Sequence, residues 1–331
     1  MGKEVKAPFP WFGGKSRASD LIWDRLGDVE NFVEPFAGSL AVLLSRPKFP
    51  FVATRVETVN DKDCYVANFW RAIQADPEGV ADYADNPVNE ADLHARHAWL
   101  HRQVETAERL KSDPEFYDVR IAGYWCWGLS SWIGDNFCRP NKNRSHQIPH
   151  LGDPGMGVNR KLPHLGDPGK GVNRQLPHLG DPGKNGCRDR HERLRGYFYE
   201  IADRLRGVRV CCGDWARVLT PSVTFRHGMT GVLLDPPYNV DGTEYGESST
   251  GLSTAVREWA LAEGERTEMR IALCGYAGEG HEILESQGWD VDQWKAGGGY
   301  NNMGDGENRH RERIWFSPAC VRAQGLLPML T

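Results

Sequence analysis

The stretch that most constrains how this chain folds is the apolar run Gly231-Val232-Leu233-Leu234, which stops abruptly at Asp235-Pro236-Pro237-Tyr238. The run predicts a buried strand, so the tetrapeptide falls at that strand's carboxyl end, where open α/β sheets hold their ligands. Two successive prolines donate no backbone hydrogen bonds and keep the chain extended and rigid just after the acid.

This geometry suits a clamp for a planar amino group. Such a nitrogen is a poor nucleophile because its lone pair is delocalised into the attached ring. A carboxylate at Asp235 and a carbonyl at Pro236 that accept its two hydrogens favour a pyramidal nitrogen with its lone pair free, which is preferential binding of a transition state. With Pro237 stiffening the turn, Tyr238 offers a ring on which a base swung out of a duplex can stack. The plain alternative is a Pro-Pro turn after a core strand.

At 331 residues the chain is long enough for one large domain with an insertion, or for two domains. Its net charge of −5 is uneven: residues 139–195 carry 12 Lys and Arg against 5 Asp and Glu. One basic segment on an acidic body fits an element that faces a polyanion, or a solvated basic loop. The eight cysteines include no CxxC pair, and Cys211-Cys212 sit in a strand pattern. They are expected to be reduced and buried, neither a disulfide frame nor a zinc site. The start lacks an apolar leader and no run approaches a membrane span, so a cytoplasmic location is expected.

Further candidates appear in chain order. Trp11-Phe12-Gly13-Gly14-Lys15 combines aromatic rings, two glycines that allow close backbone approach and a cation; an ordinary turn has the same composition. A helix is expected over 19–26. Asn31 to Leu44 reads as a strand, a tight turn Glu34-Pro35-Phe36-Ala37-Gly38 and an apolar helix, which presents helix-start amides to a ligand. The GxGxxG dinucleotide fingerprint is incomplete, and Glu34 at the strand end repels a pyrophosphate but suits an ammonium or sulfonium. That points to S-adenosylmethionine over NAD.

A second strand over 51–59 ends at Asn60-Asp61, where an acid can accept from ribose hydroxyls; Asp61 or Asp63 can equally cap the helix 63–75. One polar helix is expected over 91–111 and a Tyr/Trp-rich segment over 119–133, whose rings pack helix against helix. From residue 149 to 190 the heptapeptide Pro-His-Leu-Gly-Asp-Pro-Gly occurs three times at a period of 14 residues. The repeat histidines lack metal-ligand spacing. The segment reads as a duplicated hairpin or loop carrying Lys, Arg, His and Asn to a nucleic acid, or as a duplicated linker. After a helix over 191–207, a strand 208–212 leads to Asp214, positioned to accept from an adenine amino group or to cap the next helix. A polar loop over 239–251, a helix 254–262, a strand 270–274, a helix 280–287 and strands near 289–294 and 312–317 complete the chain.

Together, Trp11 to Lys15, Phe32 to Ser39, Asn60-Asp61 and Asp235 to Tyr238 resemble, in order, the motifs of the Dam-like (alpha-group) DNA adenine-N6 methyltransferases of phages and bacteria. The resemblance covers about residues 7–75 and 191–318. It implies a Rossmann-like α/β sheet with a helical, repeat-bearing target-recognition insertion, with S-adenosylmethionine as cofactor and double-stranded DNA as substrate. By analogy, Trp11 and Lys15 help hold the methionine end, the turn from Glu34 through Pro35, Phe36 and Ala37 to Gly38 passes beneath it, Asp61 takes the ribose, and Asp235 holds the target amine. The expected division is a catalytic domain of residues 1–75 and 191–331 around an insertion at 76–190. The family's recognition hairpin is not legible there, so no target sequence is carried over. Cytosine N4, RNA and a glutamine amide are alternative acceptors for the same clamp, and a catalytically idle DNA-binding protein is the rival from another class.

Overall fold

The computed structural model describes residues 5–11, 13–47, 55–87, 89–113, 115–132, 137–138, 187–237, 246–294 and 312–322. They fall into two compact units.

The first unit comprises Lys15–Asp61, Gly207–Gly298 and the chain from Asn302 onward, and it holds one seven-stranded sheet. The strands are β1 (Asn31–Glu34), β2 (Val56–Asp61), β3 (Val208–Cys212), β4 (Thr230–Leu234), β5 (Met269–Tyr276), β6 (Asp290–Gln293) and β7 (Glu312–Phe316). Their order is β3-β2-β1-β4-β5-β7-β6. The first five run parallel, and β7 is antiparallel to both β5 and β6.

All residues of β1 and β4 are buried, as their place in the middle of the sheet requires, Asn31 and Glu34 included. Val33, Val232, Ile271, Leu273 and Trp315 form part of one core with Val256 and Ala260 of α9 (Gly246–Glu263). Trp23 of α1 (Ser19–Leu26) packs on Phe32 at 4.8 Å between ring centroids. The sheet unit is thus a Rossmann-like α/β fold with an antiparallel pair at one edge.

The second unit comprises the chain up to Gly14 and Lys62–Arg206, with Gly299–Asn301, and its described elements are helical. They are α3 (Cys64–Ala75), α4 (Pro77–Ala84), α5 (Glu90–His101), α6 (Thr106–Ser112), α7 (Val119–Ser131) and α8 (Cys187–Leu205). Helix α7 packs on α3, α4 and α5. Gly123 makes the close approach to α4 possible, because a Cβ there would lie 2.3 Å from Cβ of Tyr83. Trp125 and Trp127 are fully buried, and Phe9, Phe69, Trp70 and Trp125 form an edge-on aromatic core. Large rings at helical spacing have here their usual fate as packing.

Several boundaries differ from the sequence reading. By compactness, 62–75 and 187–206 group with the helices, because their apolar faces are buried against α4 and α7, whereas the sequence division assigned 1–75 and 191–331 to the sheet domain. The polar helix expected over 91–111 is two helices. Gln103 and Thr106 side chains take the carbonyls of Trp99 and Gln103, which ends one helix before the next begins. The helix α9 starts within the stretch expected to be a loop to 251, and 281–287 is a 3-10 helix between Gly280 and Gly288, both left-handed. No helix among the described residues is long and apolar enough to cross a membrane. The 14-residue repeats, residues 51–54 and Tyr238 lie outside the described residues.

Candidate active site

Strand order reverses between β1 and β4: β2 and β3 extend the sheet to one side, and the chain then returns to add β4 on the other. The carboxyl ends of strands flanking such a reversal form a ligand crevice in open α/β sheets. Glu34 is the last residue of β1, and Asp235 follows the last residue of β4. Glu312 opens antiparallel β7 opposite Tyr276, the last residue of β5, and therefore lies at the same end of the sheet.

Lys15 joins this acidic group. Its Nζ lies 2.8 Å from Asp235 Oδ1, with the lysine side chain 2% exposed and that of Asp235 21% exposed. Burial alone would lower the lysine pKa, but the neighbouring charges of Asp235 and Glu312 carry it above the ordinary value, so the ammonium persists. Lys15, expected from the resemblance to hold a ligand's methionine end, is thus an immediate partner of the clamp carboxylate.

Glu34 is 4% exposed. Burial pushes its carboxyl well above the ordinary range, the charge of Asp235 adds to this, and a hydrogen bond from the Leu43 backbone opposes it. The second oxygen, Oε2, has no hydrogen-bond partner among the described residues. A buried, half-satisfied carboxylate is a site that a cation completes.

Glu312 is pushed up to about 7 by burial, against the pull of Lys15 and with the charge of Asp235 adding to the rise. The folded state therefore favours its protonated form. That contribution to stability is complete below the ordinary value of 4.5 and is lost as pH rises through about 7. Glu312→Gln, neutral at every pH, is expected to raise the urea midpoint relative to wild type at about pH 8 and to leave it nearly unchanged at about pH 4. Equal midpoints at the higher pH would show that the ionised carboxylate is accommodated without cost. Glu312 was not singled out in the sequence, because a lone acid at the start of a late strand carries no motif.

The glycine turn is fastened by the second strand. Ala37 N–H donates to the Asn60 carbonyl at 2.9 Å, and Gly38 N–H donates to Asp61 Oδ2 at 2.9 Å. The Asn60 side-chain amide donates to the carbonyls of Pro35 and Gly213, both at 3.1 Å, and Gly213 N–H donates to the Asp61 carbonyl at 3.0 Å. Asn60-Asp61 therefore ties together the tips of β1, β2 and β3. Gly38 and Leu40 have φ of 46° and 54°. For leucine that left-handed backbone is costly, and such conformations persist where the surroundings over-determine them.

Two acids with alternative readings divide cleanly. Asp63 caps α3 by accepting from Tyr65 N–H at 2.8 Å, which leaves Asp61 to the glycine turn. Asp214 caps the 3-10 helix Trp215–Val218 through Ala216 N–H at 2.9 Å and is exposed. Beside it, Trp215 stacks with Phe36 of the glycine turn, 6.0 Å between centroids and 24° between planes. Trp11 belongs to the helical unit, against Phe9 and Trp125 at 5.9 and 6.1 Å. Pro236 and Pro237 continue from Asp235 with Pro236 buried.

Lys15, Glu34, Asp235 and Glu312 thus act on one another at the carboxyl ends of the central strands, while Asp61 holds the adjoining turn. Residues 11–146 match the family model for the D12 class N6 adenine-specific DNA methyltransferases. A search of curated proteins returned no match.

Proposed function

We propose that this chain, of which residues 11–146 match the D12 class of adenine-specific DNA methyltransferases, transfers a methyl group from S-adenosylmethionine to N6 of an adenine swung out of double-stranded DNA. The observation that carries this reading is the Lys15–Asp235 pair beside the half-satisfied Glu34 at the strand-order reversal.

The residues present fit the cofactor. The orphaned Oε2 of Glu34 suits a cationic ligand, and the turn from Glu34 through Pro35, Phe36 and Ala37 to Gly38 brings backbone to the same strand end. When bound, S-adenosylmethionine supplies an activated methyl group on a sulfonium leaving group. Asp235 accepts one N6 hydrogen and the Pro236 carbonyl the other, which frees the nitrogen lone pair. Lys15 holds the Asp235 carboxylate in place, so the clamp is oriented before the base arrives; positioning of this kind is the main source of rate in a direct transfer. Tyr238 stacks on the base. Asp61 orders the glycine turn and would accept from the ribose, and Asp214 would complete the cofactor's surroundings at its adenine end.

Asp61→Ala is expected to weaken cofactor binding. Losing hydrogen bonds to a charged acceptor costs on the order of 1.5 to 3 kcal/mol. Because ground and transition states are weakened alike, the KM for S-adenosylmethionine should rise about tenfold or more with a smaller change in kcat. Calorimetry that finds unchanged affinity would confine Asp61 to bracing the Gly38 turn.

The basic repeats are the part of the reading that concerns DNA affinity. Phosphate contacts release counterions and make affinity fall steeply with salt, whereas Asn159, Arg160, Asn173 and Arg174 have donor patterns suited to base edges. Deleting one copy, residues 163–176, keeps the repeat phase. The expected result is retained cofactor binding, weaker DNA binding and a shallower salt slope. Superimposable salt series for the deleted and full-length proteins would remove the repeats from recognition.

The central test is expression in a host without adenine methylation, followed by modification-sensitive sequencing of its DNA. N6-methyladenine in a fixed sequence context is the expected product. Modified cytosine, or unmodified DNA from an active protein, would overturn the proposal.

A further inference from the structure

The helical unit contains a group of side chains that the methyltransferase reading does not use. His97 and His101 stand four residues apart on α5, so both project from one face. Their rings are perpendicular, 4.4 Å between centroids, and their Nε2 atoms are 3.0 Å apart. Cys138 is buried, and its Sγ and one nitrogen of each histidine all lie within 4.8 Å of one another. We propose that His97, His101 and Cys138 form a structural site for one Zn²⁺ ion, which ties α5 to the turn at residues 137–138.

The two histidine nitrogens are near the spacing zinc requires, and the Cys138 sulfur, within 4.8 Å of them, has to move in by up to about 1 Å. With bonds of about 2.0–2.1 Å to nitrogen and about 2.3 Å to sulfur, tetrahedral angles put two nitrogens about 3.3 Å apart and nitrogen and sulfur about 3.6 Å apart. The histidine pair needs to open by only a few tenths of an ångström. Three protein donors leave the fourth position to water.

His97 lies against Trp132 and Phe137, at 4.9 and 5.1 Å between centroids, which shields it from water. Binding forms a zinc–sulfur bond and sends the thiol proton to solvent. Cys138 has φ 58°, a left-handed backbone that is uncommon outside glycine and is expected where something holds it.

A hydrogen bond between two neutral imidazoles accounts for the His97–His101 distance, but not for a buried thiol brought beside both. The lack of a CxxC pair, which argued against zinc in the sequence, does not bear on a site with a single cysteine.

The test uses the purified full-length protein, incubated with Zn²⁺ and desalted. The wild type is expected to retain about one zinc per chain and to unfold at higher temperature than after chelator treatment. Cobalt(II) in place of zinc should give a thiolate-to-metal charge-transfer band. Cys138→Ser should lose that band and weaken zinc binding by more than about a hundredfold. His101→Gln, at the last residue of α5, is a second variant that should bind weakly while keeping its fold, and it carries the test if the serine variant is insoluble. Equal zinc retention by wild type and both variants, or no retention by wild type, would overturn the site. Neither readout depends on methyl transfer, so failure here leaves the proposed reaction untouched.

Discussion

Asp235→Ala is expected to lower turnover on DNA by at least about 10²–10³-fold, the usual cost of removing a preorganised partner from a transition state. It is also expected to weaken the fold. The Lys15 side chain is 2% exposed and its ammonium lies 2.8 Å from the Asp235 carboxylate, so the substitution removes the carboxylate of a buried ion pair. Breaking such a pair costs on the order of 3 kcal/mol. Asp235→Asn keeps an acceptor oxygen beside Lys15 and should therefore lose activity with a smaller loss of stability. Turnover with S-adenosylmethionine and a DNA substrate, together with urea midpoints, separates the two effects. Near-normal turnover in either variant would show that the clamp is centred elsewhere.

Lys15→Met is expected to lower turnover by about tenfold to a hundredfold, because the Asp235 carboxylate loses the cation that orients it. Its stability should fall less than that of Asp235→Ala. The carboxylate left behind is 21% exposed and reaches water, whereas the ammonium in the converse variant does not. The Glu312 carboxyl, which Lys15 draws down, should rise above its value of about 7. The double variant Lys15→Met/Asp235→Ala should recover part of the stability lost in Asp235→Ala, since it also removes the ammonium that burial disfavours. A double variant less stable than Asp235→Ala would mean that Lys15 serves the fold through other contacts. Cofactor affinity measured by calorimetry distinguishes this role from the expected one at the methionine end. A positioning lysine leaves affinity nearly intact, and a cofactor ligand does not.

The sequence alone determined the strands and turns of the sheet unit. Asn31–Glu34, Val208–Cys212 and Thr230–Leu234 are short β-prone segments closed by polar or glycine residues; β1 and β4 are buried along their length, whereas β3 at the sheet edge is only partly buried. It also determined the candidates Glu34, Asp61 and Asp235, because acids at strand ends are local features, and four ordered motifs, three of which fall within the matched residues 11–146.

Tertiary structure decided what each acid touches. Whether Asp61 or Asp63 caps α3 depends on backbone directions at the end of β2, and the Gly38 amide that claims Asp61 is 23 residues away. The ion pair spans Lys15 and Asp235, and the raised carboxyl at Glu312 arises from a strand paired antiparallel to β5. The His97–His101–Cys138 cluster depends on a left-handed turn after α7. These are distances between residues far apart in the chain, set by the order in which strands and helices pack, and the local pattern of side chains does not encode them.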